Sequence, residues 1–146
     1  MGENSGMPFE DGIVRGGRPQ RAVLIVEDSE NSAATLEIAV MGIPDLSVLM
    51  AKSGIEALRI LRSTELAVDA IITDLNMPRM DGFEMIRRIR EDTRLAAMRI
   101  IVVSADTDPS TPERVARLGV DAFFAKPYSP AQVRRKLEQV LNVTNQ

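Results

Sequence analysis

Apolar residues in this chain concentrate in five short stretches, at 22–26, 46–51, 70–72, 99–103 and 121–125, each followed by polar, turn-forming residues and two of them opening on a charge, Arg99 and Asp121. Runs this short, rich in Val and Ile and apolar at successive positions, predict strands buried on both faces. Between them the period changes. Leu36, Ala39 and Val40, then Ile55, Leu58 and Leu61, then Phe83, Ile86 and Ile89, and last Val133, Leu137, Val140 and Leu141 recur at spacings of about three and four. That spacing places each set on one stripe of a helix facing a core.

The polar positions mark where these helices begin and end. Ser29, Asn31 and Ser32 offer caps ahead of the first, and Gly42 with Pro44 stops it. Ser53 with Glu56, and Asp81 with Glu84, read as capping boxes, in which the first side chain accepts from the backbone and the acid reaches back. Thr111-Pro112 opens a fourth helix with proline where its missing N–H does no harm, and Gly119 closes it. Ser129-Pro130-Ala131-Gln132 caps the last. Five strands alternating with five helices across connections of a few residues predict an α/β domain with a parallel sheet covered on both faces.

Composition narrows the picture. At 146 residues the chain has the size of one domain. Residues 1–20, rich in Gly and Pro, predict a flexible N-terminal arm, and 21–143 the folded unit. A formal net charge of -3 shows no basic excess, which argues against direct nucleic-acid binding. There is no cysteine for a disulfide or thiolate site, and no histidine for a general base or a phosphohistidine of its own. No apolar run approaches the roughly 20 residues that span a bilayer, and the start lacks the apolar core of a signal peptide, so no membrane association and a cytoplasmic location are expected.

The candidate chemistry follows from the topology. In a parallel sheet the carboxyl ends of the strands share one edge, where ligands gather. That edge would hold Glu27 and Asp28, Asp74, Ser104 and Lys126. An all-oxygen cluster of acids beside open loops suits Mg²⁺, or Mn²⁺, with retained waters. A carboxylate oxygen is a competent nucleophile toward phosphorus, and a divalent cation with Lys126 could offset the charge on a transferring phosphoryl group, which makes Asp74 a candidate phosphoryl acceptor.

The segments VLIVEDSE (residues 23–30), IITDLNMPRMDGFE (71–84), IIVVSA (100–105) and AFFAKP (122–127) together resemble the response-regulator receiver domain of two-component signalling. The resemblance covers residues 21–141. It implies a flavodoxin-like (βα)5 fold with sheet order 2-1-3-4-5, and a stand-alone, CheY-like receiver in a phosphorelay. Asp74 would accept a phosphoryl group from a histidine kinase or a histidine phosphotransfer protein. Mg²⁺ would be held by Asp28, Asp74 and the backbone carbonyl of Asn76, with Glu27 acting through water. Ser104 and Phe123 would be the switch pair, Lys126-Pro127 a cis peptide, and Asn76 and Asp106 the variable positions that tune dephosphorylation. The output would be an unknown downstream protein, met through the fourth helix, fifth strand and fifth helix, where Arg114, Arg117, Tyr128 and Arg134 are candidate contacts. The protein would be a monomer or a phosphorylation-dependent homodimer, and no enzyme beyond its own phosphorylation and dephosphorylation.

Three other readings compete. A phosphatase of the haloacid-dehalogenase type wants a second acid two residues after its nucleophile, and here that position is Asn76. A nucleotide-binding sheet would carry G-x-x-x-x-G-K-[ST] or G-x-G-x-x-G after its first strand, and neither is present. A constitutive binding module would have no need for the acids, hydroxyl and lysine together.

Overall fold

The computed structural model describes residues 14–15, 18–19, 21–63 and 67–144. The domain is a five-stranded parallel sheet between two helical layers. In chain order the elements are β1 (Arg21–Val26), α1 (Glu30–Val40), β2 (Leu46–Ala51), α2 (Gly54–Arg62), β3 (Ala70–Thr73), α3 (Gly82–Glu91), β4 (Arg99–Ser104), α4 (Thr111–Arg117), β5 (Ala122–Ala125) and α5 (Pro130–Thr144). The strand order is β2-β1-β3-β4-β5, with β1 and β3 at the centre, and every pairing is parallel. This is the doubly wound, flavodoxin-like order that the family resemblance implied. The expected arm at 1–20 lies outside the described residues, save for Val14–Arg15 and Arg18–Pro19, which pair antiparallel.

Side chains that alternate along each strand build two cores. Leu24, Val26, Ile71, Ile100 and Val102 face one way and meet Leu58 of α2, Ile86 of α3 and Val115 of α4. Val23, Ile25, Ile72, Ile101 and Val103 face the other and meet Leu36 of α1 with Leu137 and Leu141 of α5. Burying each such Leu or Ile contributes roughly 1.5–3 kcal/mol relative to leaving it in water. The central strands must therefore be apolar throughout, and their first polar residues mark the edge of the sheet.

Local details depart from expectation in four places. Ile55, placed by its spacing on the buried stripe of α2, is 43% exposed, and Ala57 fills that stripe beside Leu58 and Leu61. Asp81 accepts from the Glu84 N–H as a cap should, yet Glu84 does not reach back, because its carboxylate pairs with Arg87 and Arg88. Glu56 does reach back, to the N–H of Lys52 rather than that of Ser53. The fifth strand begins at Ala122, one residue late, because the Asp121 side chain takes the N–H of Ile100 at the point where a ladder would start.

Gly82 and Gly119 are each required by geometry. Gly119 closes α4 at φ 74°, a left-handed conformation natural to glycine. At Gly82 a Cβ would lie 2.6 Å from the Asp74 carbonyl oxygen and 2.7 Å from Leu75 Cα. The start of α3 therefore packs straight onto the backbone at the end of β3, and the Gly82 N–H donates to the Leu75 carbonyl at 2.8 Å.

Candidate functional site

The site grows from the carboxyl edge of the sheet. The strand β1 ends with the Glu27 N–H bound to the Ala51 carbonyl, and β3 ends with the Asp74 N–H bound to the Val26 carbonyl, so both acids are fixed by ladder bonds just beyond the strands. Beyond β5, the Lys126 N–H donates to the Ser104 carbonyl. Three main chains are thereby locked with their polar side chains on one edge, and the Lys126–Pro127 bond is cis.

Asp74 is buried and well ligated. Its Oδ1 accepts from the Leu75 N–H at 2.6 Å and the Asn76 N–H at 3.3 Å, while Oδ2 accepts from Lys126 Nζ at 3.0 Å. Lys126 Nζ also reaches Glu27 Oε1 at 3.2 Å, and Glu27 Oε2 accepts from the Ser29 N–H. One ammonium thus bridges two buried carboxylates. Burial pushes the Glu27 carboxyl above its ordinary value and the neighbouring Asp74 adds to this, while the Ser29 N–H and Lys126 only partly offset it. For Lys126, burial pulls downward, but hydrogen bonds and charge from Asp74 and Glu27 outweigh it and hold the ammonium above its ordinary range.

Other expected residues sit at varying remove. Ser104 is fully buried, and its hydroxyl oxygen accepts from the Asp106 N–H at 3.1 Å. Phe123 is half-buried against the core beneath α2, α3 and α4. Asp28 and Asn76 are exposed, and the Asp28 carboxylate has no hydrogen bond or ion pair among the described residues. Among the described residues no three acid side chains form a ready cation cluster. The donor set itself is all oxygen, with a free carboxylate at Asp28 beside buried Glu27 and close in fold to Asp74, a chemistry that fits a hard divalent ion.

Three supporting residues escaped sequence reasoning. Thr73 is fully buried and donates from Oγ1 to the Asp74 carbonyl at 2.7 Å. Thr111, also fully buried, donates to Asp106 Oδ2, which ties the start of α4 to the loop behind Ser104. Gly82, given no role of its own by its place in the sequence, is required by close backbone approach. A hydroxyl inside an apolar run was the available signal for Thr73; the partners of the other two lie only five to eight residues back, but across a loop whose path no periodic pattern describes.

A family model, the response regulator receiver domain, matches residues 23–138. The chain belongs to that family. A chemotaxis protein CheY homolog of Campylobacter jejuni is 31% identical over 119 residues, which cover 82% of this chain and 91% of that protein. The two-component response regulator ORR5 of Oryza sativa is 33% identical, over 89% of this chain and 94% of its own length. Among solved structures, a response regulator receiver protein from Pseudomonas putida superposes with a TM-score of 0.74 at 31% identity, covering 82% of this chain and 97% of that one. Within this receiver the matched span runs from β1 into α5 and includes every site residue discussed above. As a family, receivers are signalling domains of two-component systems. Among the described residues no helix of this receiver is long and apolar enough to cross a membrane.

Proposed function

We propose that this receiver is a phosphorylation switch, with Asp74 as the phosphoryl acceptor. The observation that carries the reading is the bridge from Lys126 Nζ to Asp74 Oδ2 and Glu27 Oε1 at a buried strand end. The chain has no histidine, so the donor is a phosphohistidine of a separate kinase or phosphotransfer protein. An Asp74 carboxylate oxygen attacks phosphorus, a P–O bond forms, and the P–N bond breaks with its electron pair returning to the donor imidazole. The Leu75 and Asn76 N–H groups fix the Asp74 carboxylate by binding Oδ1, and Lys126 offsets the charge on the phosphoryl oxygens. Asp28, Asp74 and the Asn76 carbonyl would hold Mg²⁺, with Glu27 acting through water. The ion supplies positive charge to the transferring group.

Phosphorylation raises the local negative charge to about two and adds acceptor oxygens. Lys126 and the Ser104 hydroxyl, whose proton is not committed by accepting from Asp106, then gain by turning to them, and Phe123 follows. In this reading residues 21–143 work as a receiver in the cytoplasm. Its output is contact with a downstream protein, as a monomer or a phosphorylation-dependent homodimer. Its only catalysis is on itself.

Intact mass after incubation with Mg²⁺ and acetyl phosphate tests this. The expected result is a gain of one phosphoryl group that is absent without Mg²⁺ and absent in Asp74→Asn. Beryllofluoride with Mg²⁺, as a stable mimic, covers the case of rapid hydrolysis. Failure of both the adduct and the mimic would remove the reading.

A further inference from the structure

A groove of about 850 Å³ runs between α2 and α3 and up to the loop that follows Asp74. Its floor is apolar, made by buried Leu58 and Met80 with the exposed Ile55 beside them. Met80 is held tightly there, since a Cβ on Gly54 would come within 3.1 Å of its sulfur. The start of α2 and the loop therefore form one continuous surface with no side chain between them.

The rim is basic in an acidic protein. Among the described residues, four arginines, Arg59, Arg62, Arg79 and Arg88, line the groove against one carboxylate, that of Glu84, while the whole chain has a formal net charge of -3. Two of them are answered internally: Arg62 lies 3.6 Å from Asp92, and Arg88 lies 2.9 Å from Glu84, which Arg87 also shares. Arg59 and Arg79 are exposed and have no hydrogen bond or ion pair among the described residues. Arg79 stands at φ 68°, a left-handed conformation that disfavours a side chain of this kind and is better met by Gly or Asn. Among the described residues no hydrogen bond or ion pair of the Arg79 side chain offsets that cost.

We propose that this groove docks an acidic amphipathic helix of a partner protein. Its carboxylates pair with Arg59 and Arg79, and its apolar face packs on Ile55, Leu58 and Met80. Charge complementarity selects the sign of the partner, and a furrow between two helices with an apolar floor is the shape that receives a helix with anchors three or four residues apart. The furrow is open to solvent along its length, so it covers too little of a small ligand, and the flat face of a bilayer does not reach its buried floor. The docking surface and the Asp74 carboxylate share only the loop 75–81, and the proposal does not rest on phosphorylation.

Amide shifts of the isotopically labelled full chain test it. The probe is a synthetic helical peptide with Glu on one face and Leu on the other, compared with its Lys-for-Glu counterpart and with phosphatidylglycerol-containing vesicles. The acidic peptide is expected to give saturable shifts confined to α2, α3 and residues 75–81, weakened by salt. In Arg59→Glu/Arg79→Glu the affinity should fall by about tenfold with the thermal midpoint kept, since both side chains are exposed. If that variant is unstable, Arg59→Gln/Arg79→Gln replaces it, with a loss of about threefold expected. Shifts lying elsewhere, an equal response to the Lys peptide, unchanged affinity in a folded variant, or binding to vesicles without binding to the peptide would each overturn the proposal.

Discussion

Glu27, Lys126 and Gly82 show how single residues in this receiver answer to neighbours far along the chain. The Glu27 carboxyl is held above its ordinary value of 4.5, so in the window just above that value the native state keeps a proton that the unfolded chain releases. Stability contributed by that proton is complete below 4.5 and is lost as pH rises through the folded value. Glu27→Gln should abolish this loss, and thermal midpoints across a pH series would show the variant gaining on the natural protein as pH rises through the window. Lys126 has the same sign at the other end of the scale: its contribution is complete below 10.5 and declines as pH rises beyond it, and Lys126→Met should flatten that decline. At Gly82 a methyl group meets backbone rather than a flexible side chain. Gly82→Ala is expected to destabilise by about 1–3 kcal/mol, read from urea unfolding, and to shift the amide signals of Leu75 and Asn76.

At the scale of elements, a half-buried arginine does what no helix cap could. Arg90, near the end of α3, donates from Nε to the Leu118 carbonyl, from Nη1 to those of Ala96 and Met98, and from Nη2 to that of Gly119. One guanidinium thereby joins α3, the strand entry of β4 and the end of α4. Arg90→Leu leaves these carbonyls short of a donor, and a loss of roughly 1.5–3 kcal/mol in chemical denaturation is expected, with faster amide exchange at Gly119 and Asp121. Nothing in the local pattern marked this residue, since an arginine late in a helix reads as solvated. The acids show the same contrast. Asp74, at the carboxyl end of a strand, could be read as chemistry because the topology gives that edge a function. Asp69 and Asp121, at the opposite edge, have a structural role: each exchanges two hydrogen bonds with a neighbouring strand, Asp69 with Ala22 and Asp121 with Ile100. The element types and the positions of most caps were legible because period and capping chemistry are local. The failures at Ile55 and Glu84 arose where a side chain had a choice of neighbour.

Across the whole molecule, the alternation of strands and helices was enough to predict a parallel sheet, but strand order is not written in hydrophobic pattern and came from the likeness to receivers. The convergence of Glu27, Asp74 and Lys126 was legible once the strands were taken as parallel, whereas the basic furrow was not, because its arginines are spread over two helices and a loop. Nor could the layout of the sheet edges be read locally. Lys126 leaves β5, a four-residue edge strand that is only half-buried, while Asp74 leaves β3, the fully buried central strand. An edge strand opens at lower free energy than a central one. Fluctuations that release β5 and α5 would carry the ammonium away and leave two buried carboxylates facing each other without it. The charge balance of this site is therefore only as durable as the weakest ladder in the sheet, and the pairing of Asp74 with its ammonium lasts as long as that outer strand stays closed.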